Sequence, residues 1–282
     1  MNARLCLLPP AAACGLLLSA CGSVNFRESR APEGSNRDES TLSPLAQRIN
    51  VETLALVPSS PKPNVLFDVY SENGDAAWAR NWTRKVNLTG VSWDGTRTVT
   101  LVSPLHVVMA AHYVRKPGEF VVFRDASGRK IERTLKALLP VTLPGGVAPD
   151  IAVGVLDRSV PLKYYKVPPA DPGFAARLSG AHVLVTDGER RLHCHEIAMA
   201  QGWAIRFGYS EKIHKAYWED LIVGDSSNPS FILLHGEPVL VETHTTGGAG
   251  AGPYYGDPEV AAAINQRMTE LGGGYQLTQA SP

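Results

Sequence analysis

The sequence predicts a mostly β protein, in which two packed antiparallel β-barrels or a β-sandwich are followed by a C-terminal helix. Short runs rich in β-branched and aromatic residues recur after residue 63, and turn sequences such as Asp-Gly and Pro-Gly-Gly separate them. Glycine and proline together make up about one sixth of the 282 residues, which favours a turn-rich β protein over a helical bundle. With 44% hydrophobic and 19% charged residues, the chain can bury a substantial core.

The first 20 residues are typical of a secretory signal peptide. One basic residue, Arg4, precedes an apolar run over 5–20 that is interrupted by two prolines and is too short to span a bilayer as a stable helix. The run ends in Leu-Ser-Ala-Cys at 18–21, which is similar to the lipobox of bacterial lipoproteins, where cleavage precedes a cysteine that becomes lipid-modified. The alternative is an ordinary signal peptide followed by a cysteine by chance. We expect a lipid anchor on Cys21 that binds the protein to a bilayer.

The cysteine positions fit a protein that folds without a disulfide. The four cysteines are at positions 6, 14, 21 and 194, so cleavage before an acylated Cys21 leaves Cys194 without an intramolecular partner. Gly22 stands after the lipobox cysteine, where some lipoproteins that stay at the inner membrane carry an aspartate. We therefore expect a lipid-anchored protein of the cell envelope, at the outer membrane and facing the periplasm.

A polar tether is predicted over 21–62. Residues 25–43 carry almost no apolar side chain, and a proline-rich stretch closes the segment before residue 63, with at most a short ordered piece near 45–57. The folded domain is expected over 63–282. The chain holds 27 basic and 27 acidic residues, and this zero net charge argues against a nucleic-acid partner.

The predicted strands lie between turn sequences along the domain, at 65–70, 98–103, 106–110, 120–123, 151–156, 183–186, 231–234 and 239–243. Two helices are predicted. A short one covers 210–220, and a longer one covers 258–271, with Asp257 as N-cap, Pro258 at the first helical position and Gly272 as the stop signal.

Three segments carry residues suited to nucleophilic catalysis, in the order His, Asp, Ser. An apolar run ends in Ala-Ala-His at His112, an acid opens the run Asp-Ile-Ala-Val at Asp150, and the sequence Gly-Asp-Ser-Ser-Asn-Pro contains Ser226. A serine hydroxyl needs an adjacent base, and an imidazole titrates near neutrality, so this set of residues fits that chemistry. Asp125 and Asp157 are the alternatives for the acid, and Ser227 is the alternative for the nucleophile.

These segments resemble the histidine, aspartate and nucleophile motifs of the chymotrypsin/trypsin-like serine protease family, over about residues 63–271. The resemblance implies a two-barrel trypsin-like fold and a serine-type peptidase that cleaves peptide or protein substrates through an acyl-enzyme, without a cofactor or metal. It assigns His112 as the base, Asp150 as the group that orients it and Ser226 as the nucleophile. The backbone N–H groups of Gly224 and Ser226 would form the oxyanion hole.

The sequence departs from the family pattern beside the nucleophile. Ser227 and Asn228 stand where the family has two glycines, and a side chain at Ser227 is expected to crowd the substrate or change the loop geometry. On this interpretation Ser227→Gly keeps or raises activity. In many members of the family, a freed N-terminus pairs with the acid before the serine, which here is Asp225. The mature N-terminus of this chain would instead be the lipidated Cys21, so Asp225 needs another partner, which the sequence leaves open.

Substrate-binding residues are less clear in the sequence. Asp220 lies six residues before Ser226, where trypsin-like members place the acid that binds a basic side chain; the alternative is an ordinary surface acid. The segment Thr243-His244-Thr245 is expected to form a wall of the cleft. His193 and His195 would share one face of a strand and could bind a metal, but a hydrogen-bonded strand pair is the favoured interpretation.

Three classes of function are compatible with these features. The first is a membrane-tethered serine endopeptidase. The second is a weak or inactive trypsin-like homologue that binds peptides or cell-envelope partners in the same cleft, and the third is a structural lipoprotein on the same scaffold. A covalent serine-directed probe separates the first class from the other two.

Overall fold

The computed structural model describes residues 38–95 and 97–281. The predicted signal peptide, Cys21 and the first part of the predicted tether lie outside the described residues. Within the described part of the chain, no helix is both long enough and apolar enough to cross a bilayer.

The protein is mostly β, with two curled antiparallel half-barrel sheets and a C-terminal helix, and this confirms the predicted fold class. The strands are β1 (Phe67–Val69), β2 (Ala77–Trp78), β3 (Thr100–Leu101), β4 (His106–Ala110), β5 (Phe120–Arg124), β6 (Lys130–Pro140), β7 (Ile151–Leu156), β8 (His182–Thr186), β9 (Leu192–Gln201), β10 (Ala204–Gly208), β11 (Pro229–Leu234), β12 (Glu237–Thr243) and β13 (Ala251–Pro253). The first sheet has the strand order β3-β4-β7-β6-β5, the second has the order β12-β11-β8-β9-β10-β13, and β1 and β2 form a separate pair. The helices are α1 (Pro44–Leu56), α2 (Pro172–Ala176) and α3 (Pro258–Leu271).

Helix α3 begins and ends at the predicted residues. The Asp257 carboxylate accepts hydrogen bonds from the backbone N–H groups of Glu259 and Val260, and Pro258 needs no acceptor at the first position. Gly272 ends the helix with a φ of +87°, a conformation that favours glycine. The helix packs against β6 and β7 and so covers part of the first sheet.

The predicted helix over 210–220 is wrong. The segment instead has two tight turns, in which Ile213 N–H bonds Ser210 C=O and Tyr217 N–H bonds His214 C=O, and a 3₁₀ helix at Lys215–Tyr217. Ser210, Ile213 and Tyr217 are buried, so their spacing imitates one face of a helix. A helix and two consecutive turns would both bury these three residues, so the sequence pattern alone does not distinguish the helix from the turns.

The described part of the predicted tether belongs partly to the folded core. Helix α1 starts at an N-cap in which the Ser43 hydroxyl accepts the Ala46 N–H, and it packs against β8 and β11 of the second sheet. Its Asn50 side chain is buried, donates to Gly180 C=O and accepts the His182 N–H. The ordered piece that was expected near 45–57 is therefore a helix over Pro44–Leu56, and it packs on the folded domain.

The core lies inside each sheet and between the two sheets. Aliphatic residues fill the first and the second half-barrel separately, and a third cluster rich in aromatic rings joins them. Tyr165 and Phe231 meet in that third cluster, with ring centroids 4.7 Å apart. Because the third cluster holds both sheets together, it fixes the relative position of loops that extend from different sheets.

Two buried histidines are expected to make stability fall in mild acid. Burial lowers the pKa of His195 to about 3 and that of His182 to about 4, so both are neutral in the folded protein. In the unfolded chain each histidine has its ordinary pKa of about 6.5 and binds a proton below that pH. The contribution of each neutral histidine to stability is therefore full above about pH 6.5 and is lost as the pH falls. For His195 the loss reaches about 2 kcal/mol at pH 5. Denaturant unfolding of His195→Gln should show a flatter pH dependence between pH 6.5 and pH 4, and an unchanged slope would contradict this assignment.

Candidate active site

The pairing of β4 with β7 brings His112 to Asp150. Ala110, the last residue of β4, is the register partner of Ile151, the first residue of β7, so the residues just beyond these two positions meet. The Ala111 N–H bonds the Asp150 C=O at 3.0 Å, and a 3₁₀ helix at Ala111–Tyr113 then turns the His112 side chain toward the turn that carries Ser226. Asp125 and Asp157, the alternatives in the sequence, bond elsewhere, to Ser127 and Thr134 respectively.

Asp150 holds both the backbone and the ring of His112. Its Oδ1 accepts the His112 backbone N–H at 2.9 Å, and its Oδ2 lies 2.6 Å from the ring Nδ1. The residue has a φ of +62°, which is unfavourable for most side chains and tolerated by aspartate. A carboxylate at Nδ1 favours the tautomer with the proton on that nitrogen, which leaves Nε2 free to accept a proton.

Ser226 completes the set from the second sheet. It lies in the turn that leads into β11, and its Oγ is 2.9 Å from His112 Nε2. The structure thus brings His112, Asp150 and Ser226 together in the order Ser–His–Asp, with hydrogen-bond distances at both ring nitrogens. The His112 side chain is 46% exposed, so this group is open to a ligand from solvent.

The turn before Ser226 has a glycine with a positive φ and two backbone N–H groups without a protein acceptor among the described residues. Gly224 has a φ of +109°, a conformation that disfavours L side chains, and no atom lies within 4 Å of where its Cβ would be. Among the described residues, no hydrogen bond from the backbone N–H groups of Gly224 and Ser226 to a protein acceptor is found. Both N–H groups are therefore available to an oxyanion beside the Ser226 hydroxyl.

Ser227 and Asn228 do not crowd this opening, contrary to the expectation from the sequence. Both side chains are fully buried. The Ser227 hydroxyl accepts the Ala110 N–H at 2.9 Å, while the Asn228 amide accepts from the Thr98 hydroxyl and donates to Asp225 C=O. Ser227 has a φ of +74°, and this backbone conformation turns its side chain into the protein and away from Ser226 Oγ.

Asp225 is bound by backbone groups rather than by a terminal ammonium. Its Oδ1 accepts the Gly188 N–H at 2.8 Å, and its Oδ2 accepts the Ile222 N–H at 2.7 Å. Two charge-assisted bonds to backbone donors stabilise a buried carboxylate and fix the loop that carries Ser226. Neither donor could be predicted from the sequence, because backbone groups have no residue-type signature.

The predicted substrate-binding residues are dispersed. Thr243 and His244 are buried, so their side chains form no wall of an open cleft, and Thr245 is half-buried with its hydroxyl directed at Ala251 C=O. Asp220 is exposed and lines a cavity of about 30 Å³ together with Glu219. Arg191 lines the same cavity and pairs with Glu219 at 2.7 Å, so a basic side chain of a substrate would meet a positive charge there.

A buried ion pair next to the turn that carries Ser226 was not predicted. His244 Nδ1 lies 2.7 Å from the Glu242 carboxylate, and His244 Nε2 lies 3.0 Å from Thr186 C=O. Burial lowers the pKa of His244, but the adjacent Glu242 charge and hydrogen bonds outweigh burial and keep that pKa above its ordinary value. The backbone of His244 exchanges hydrogen bonds with Ser227 and Asn228, so the pair supports the loop from within.

The His193 and His195 side chains have separate partners. His193 Nε2 bonds Asp187 at 2.8 Å, and His195 Nδ1 bonds Ala249 C=O at 2.8 Å. Within the described residues, His193, Asp187 and Glu219 offer ligand atoms within 4.8 Å of one another. The Arg191 guanidinium lies among them, 3.2 Å from Asp187 and 2.7 Å from Glu219, so a metal ion there would meet a positive charge.

Comparison of the sequence with protein-family models and with curated proteins finds no match. Because a fold by itself does not assign an activity, the function has to be argued from the site.

Proposed function

We propose that this protein is a serine endopeptidase-like hydrolase of the chymotrypsin/trypsin-like kind. One observation carries the proposal. His112 Nε2 lies 2.9 Å from Ser226 Oγ, and His112 Nδ1 lies 2.6 Å from Asp150 Oδ2. A nucleophile, a base and a group that orients the base are thus in contact in that order, which is the arrangement that activates a serine hydroxyl. The mostly β fold and the open turn at Gly224 support the same proposal.

In the proposed reaction, Ser226 Oγ attacks the carbonyl carbon of a peptide bond while His112 Nε2 takes the hydroxyl proton. Asp150 stabilises the resulting imidazolium. The negative oxygen of the tetrahedral intermediate accepts hydrogen bonds from the N–H groups of Gly224 and Ser226, a contact for which each donor contributes on the order of 3 kcal/mol. His112 then protonates the departing amine, and the C–N bond breaks to leave an acyl-enzyme on Ser226.

Water completes the cycle by the same groups. His112 Nε2 takes a proton from a water molecule as its oxygen attacks the acyl carbon, and the proton then returns to Ser226 Oγ as the ester bond breaks. The exposure of His112 gives water access to the acyl carbon. The products are a carboxylic acid, an amine and the unchanged enzyme, so this chemistry needs no cofactor.

A fluorophosphonate probe tests the proposal. The folded protein should form a covalent adduct with loss of fluoride, and the urea-unfolded protein should form none, because the hydroxyl is activated only in the folded arrangement. A mixture of unstructured peptides should be cleaved in parallel. A protein without adduct formation that nonetheless binds those peptides would instead be the inactive peptide-binding homologue.

We also propose that the protein is anchored in the cell envelope by an acylated Cys21, at the outer membrane and facing the periplasm. The Leu-Ser-Ala-Cys sequence at 18–21 supports this. Cys21→Ser should abolish metabolic labelling with a fatty acid and release the protein from the membrane fraction. Cys194→Ser is the matched control because Cys194 is buried, and it should leave labelling intact. Unchanged labelling of Cys21→Ser would contradict the anchor.

A further inference from the structure

The residue after the proposed nucleophile has an unusual backbone conformation. Ser227 is fully buried, and its φ of +74° lies in the left-handed region that favours glycine. A serine in this conformation is less favourable than a glycine, so the side chain must contribute something that glycine cannot.

The contribution is a link to the strand that carries the base. The Ser227 hydroxyl accepts the Ala110 N–H at 2.9 Å and donates toward Tyr113 C=O at 3.4 Å. Ala110 ends β4 just before the 3₁₀ helix that contains His112, and Tyr113 follows His112 directly. One hydroxyl therefore contacts the backbone on both sides of His112.

The other contacts of Ser227 bind it to the second sheet. Its backbone N–H donates to His244 C=O at 3.0 Å, next to the end of β12. Ser226 and His112 come from different sheets, so the distance between Oγ and Nε2 depends on how the two sheets are joined at this point. Ser227 joins the two sheets at this point, because its backbone bonds His244 beside the second sheet and its hydroxyl bonds Ala110 of the first sheet.

We propose that Ser227 is a positioning residue, whose hydroxyl sets the alignment of Ser226 Oγ with His112 Nε2. This inference rests on the proposed function. Ser227 contacts no reacting atom, and its effect passes through Ala110 and the turn that carries His112. A glycine at this position satisfies the backbone conformation but leaves the buried Ala110 N–H without its acceptor.

The test compares Ser227→Gly with Ser227→Ala and with a matched control, Ser103→Ala. Ser103 is also buried, and its hydroxyl accepts the Leu105 and His106 N–H groups at the opposite end of β4. Peptide hydrolysis gives kcat and KM, denaturant unfolding gives stability, and NMR of ¹⁵N-histidine-labelled protein gives the chemical shift of His112 Nε2. The NMR measurement does not depend on activity.

Ser227→Gly should fold, because glycine suits the positive φ, and should lower kcat on the order of 10- to 100-fold with KM little changed. This expectation replaces the one from the sequence, in which Ser227→Gly keeps or raises activity. The His112 Nε2 shift should move, because the hydrogen bond to Ser226 changes. Ser227→Ala should show the same loss of kcat with lower stability. Ser103→Ala should lose stability but keep kcat and the Nε2 shift of the unmodified protein.

The outcomes separate this inference from the proposed function. If the unmodified protein reacts with the fluorophosphonate and Ser227→Gly keeps its kcat and its Nε2 shift, the positioning role is overturned and the peptidase proposal stands. If the unmodified protein does not react but the Nε2 shift moves in Ser227→Gly, the peptidase proposal fails and the positioning role stands. No reaction and no shift would overturn both.

Discussion

Ser226→Ala is expected to abolish covalent labelling by a fluorophosphonate and to lower peptide hydrolysis on the order of 10⁶-fold. The Ser226 hydroxyl lies at hydrogen-bond distance from His112 Nε2, and the N–H groups of Gly224 and Ser226 have no protein acceptor among the described residues. The substitution therefore removes the group that is proposed to attack. The measurement is the rate of labelling and of hydrolysis at equal protein concentration.

His112→Ala should be about as damaging, because the members of such a triad act as a unit and their losses do not add. The control for both variants is Ser227→Ala, in which labelling slows but persists. Labelling that survives Ser226→Ala and disappears in Ser227→Ala would move the nucleophile by one residue, and the oxyanion assignment would fall with it.

Asp150→Asn is expected to lower kcat/KM on the order of 10⁴-fold while the fold is retained. Asparagine tolerates the φ of +62° at this position, and its amide oxygen still accepts the His112 backbone N–H. The neutral amide no longer stabilises an imidazolium, and an NH₂ group facing Nδ1 favours the tautomer with the proton on Nε2, which cannot accept the serine proton.

The matched control for this variant is Asp157→Asn. Asp157 accepts the Thr134 N–H on the same sheet, but it has no contact with His112, so kcat/KM should stay within about twofold. Thermal unfolding checks that both variants remain folded. A loss of less than tenfold for Asp150→Asn would contradict its role in orienting His112.

The candidate site could be predicted from the sequence where its residues stand at the ends of strands with clear patterns. His112 follows the fully buried β4, and Asp150 precedes the fully buried β7, so the pairing of two recognisable strands brings them together. The caps of α3 are equally local, since one aspartate, one proline and one glycine determine where that helix begins and ends.

The sequence was misleading where the direction of a side chain depends on the backbone. Ser227 was expected to crowd the substrate or to change the loop geometry. Its positive φ turns the side chain into the protein, and no pattern of residue types encodes that rotation. Strand β9 was expected only as the short stretch that holds His193 and His195, and its full length to Gln201 was missed for a related reason. Its His193, His195 and Glu196 are polar residues, yet they are buried in the second sheet. His193 bonds Asp187 across a turn, and His195 bonds the C=O of Ala249, which is distant in the chain.

The most direct test of the account is to locate the fluorophosphonate adduct in the folded, unmodified protein by peptide mass spectrometry. The protein should carry one adduct per chain, on Ser226, and preincubation with a peptide aldehyde should prevent its formation. An adduct on Ser227 or on a serine outside the nucleophile turn, or no adduct on protein shown to be folded, would contradict the assignment of His112, Asp150 and Ser226 as a catalytic triad.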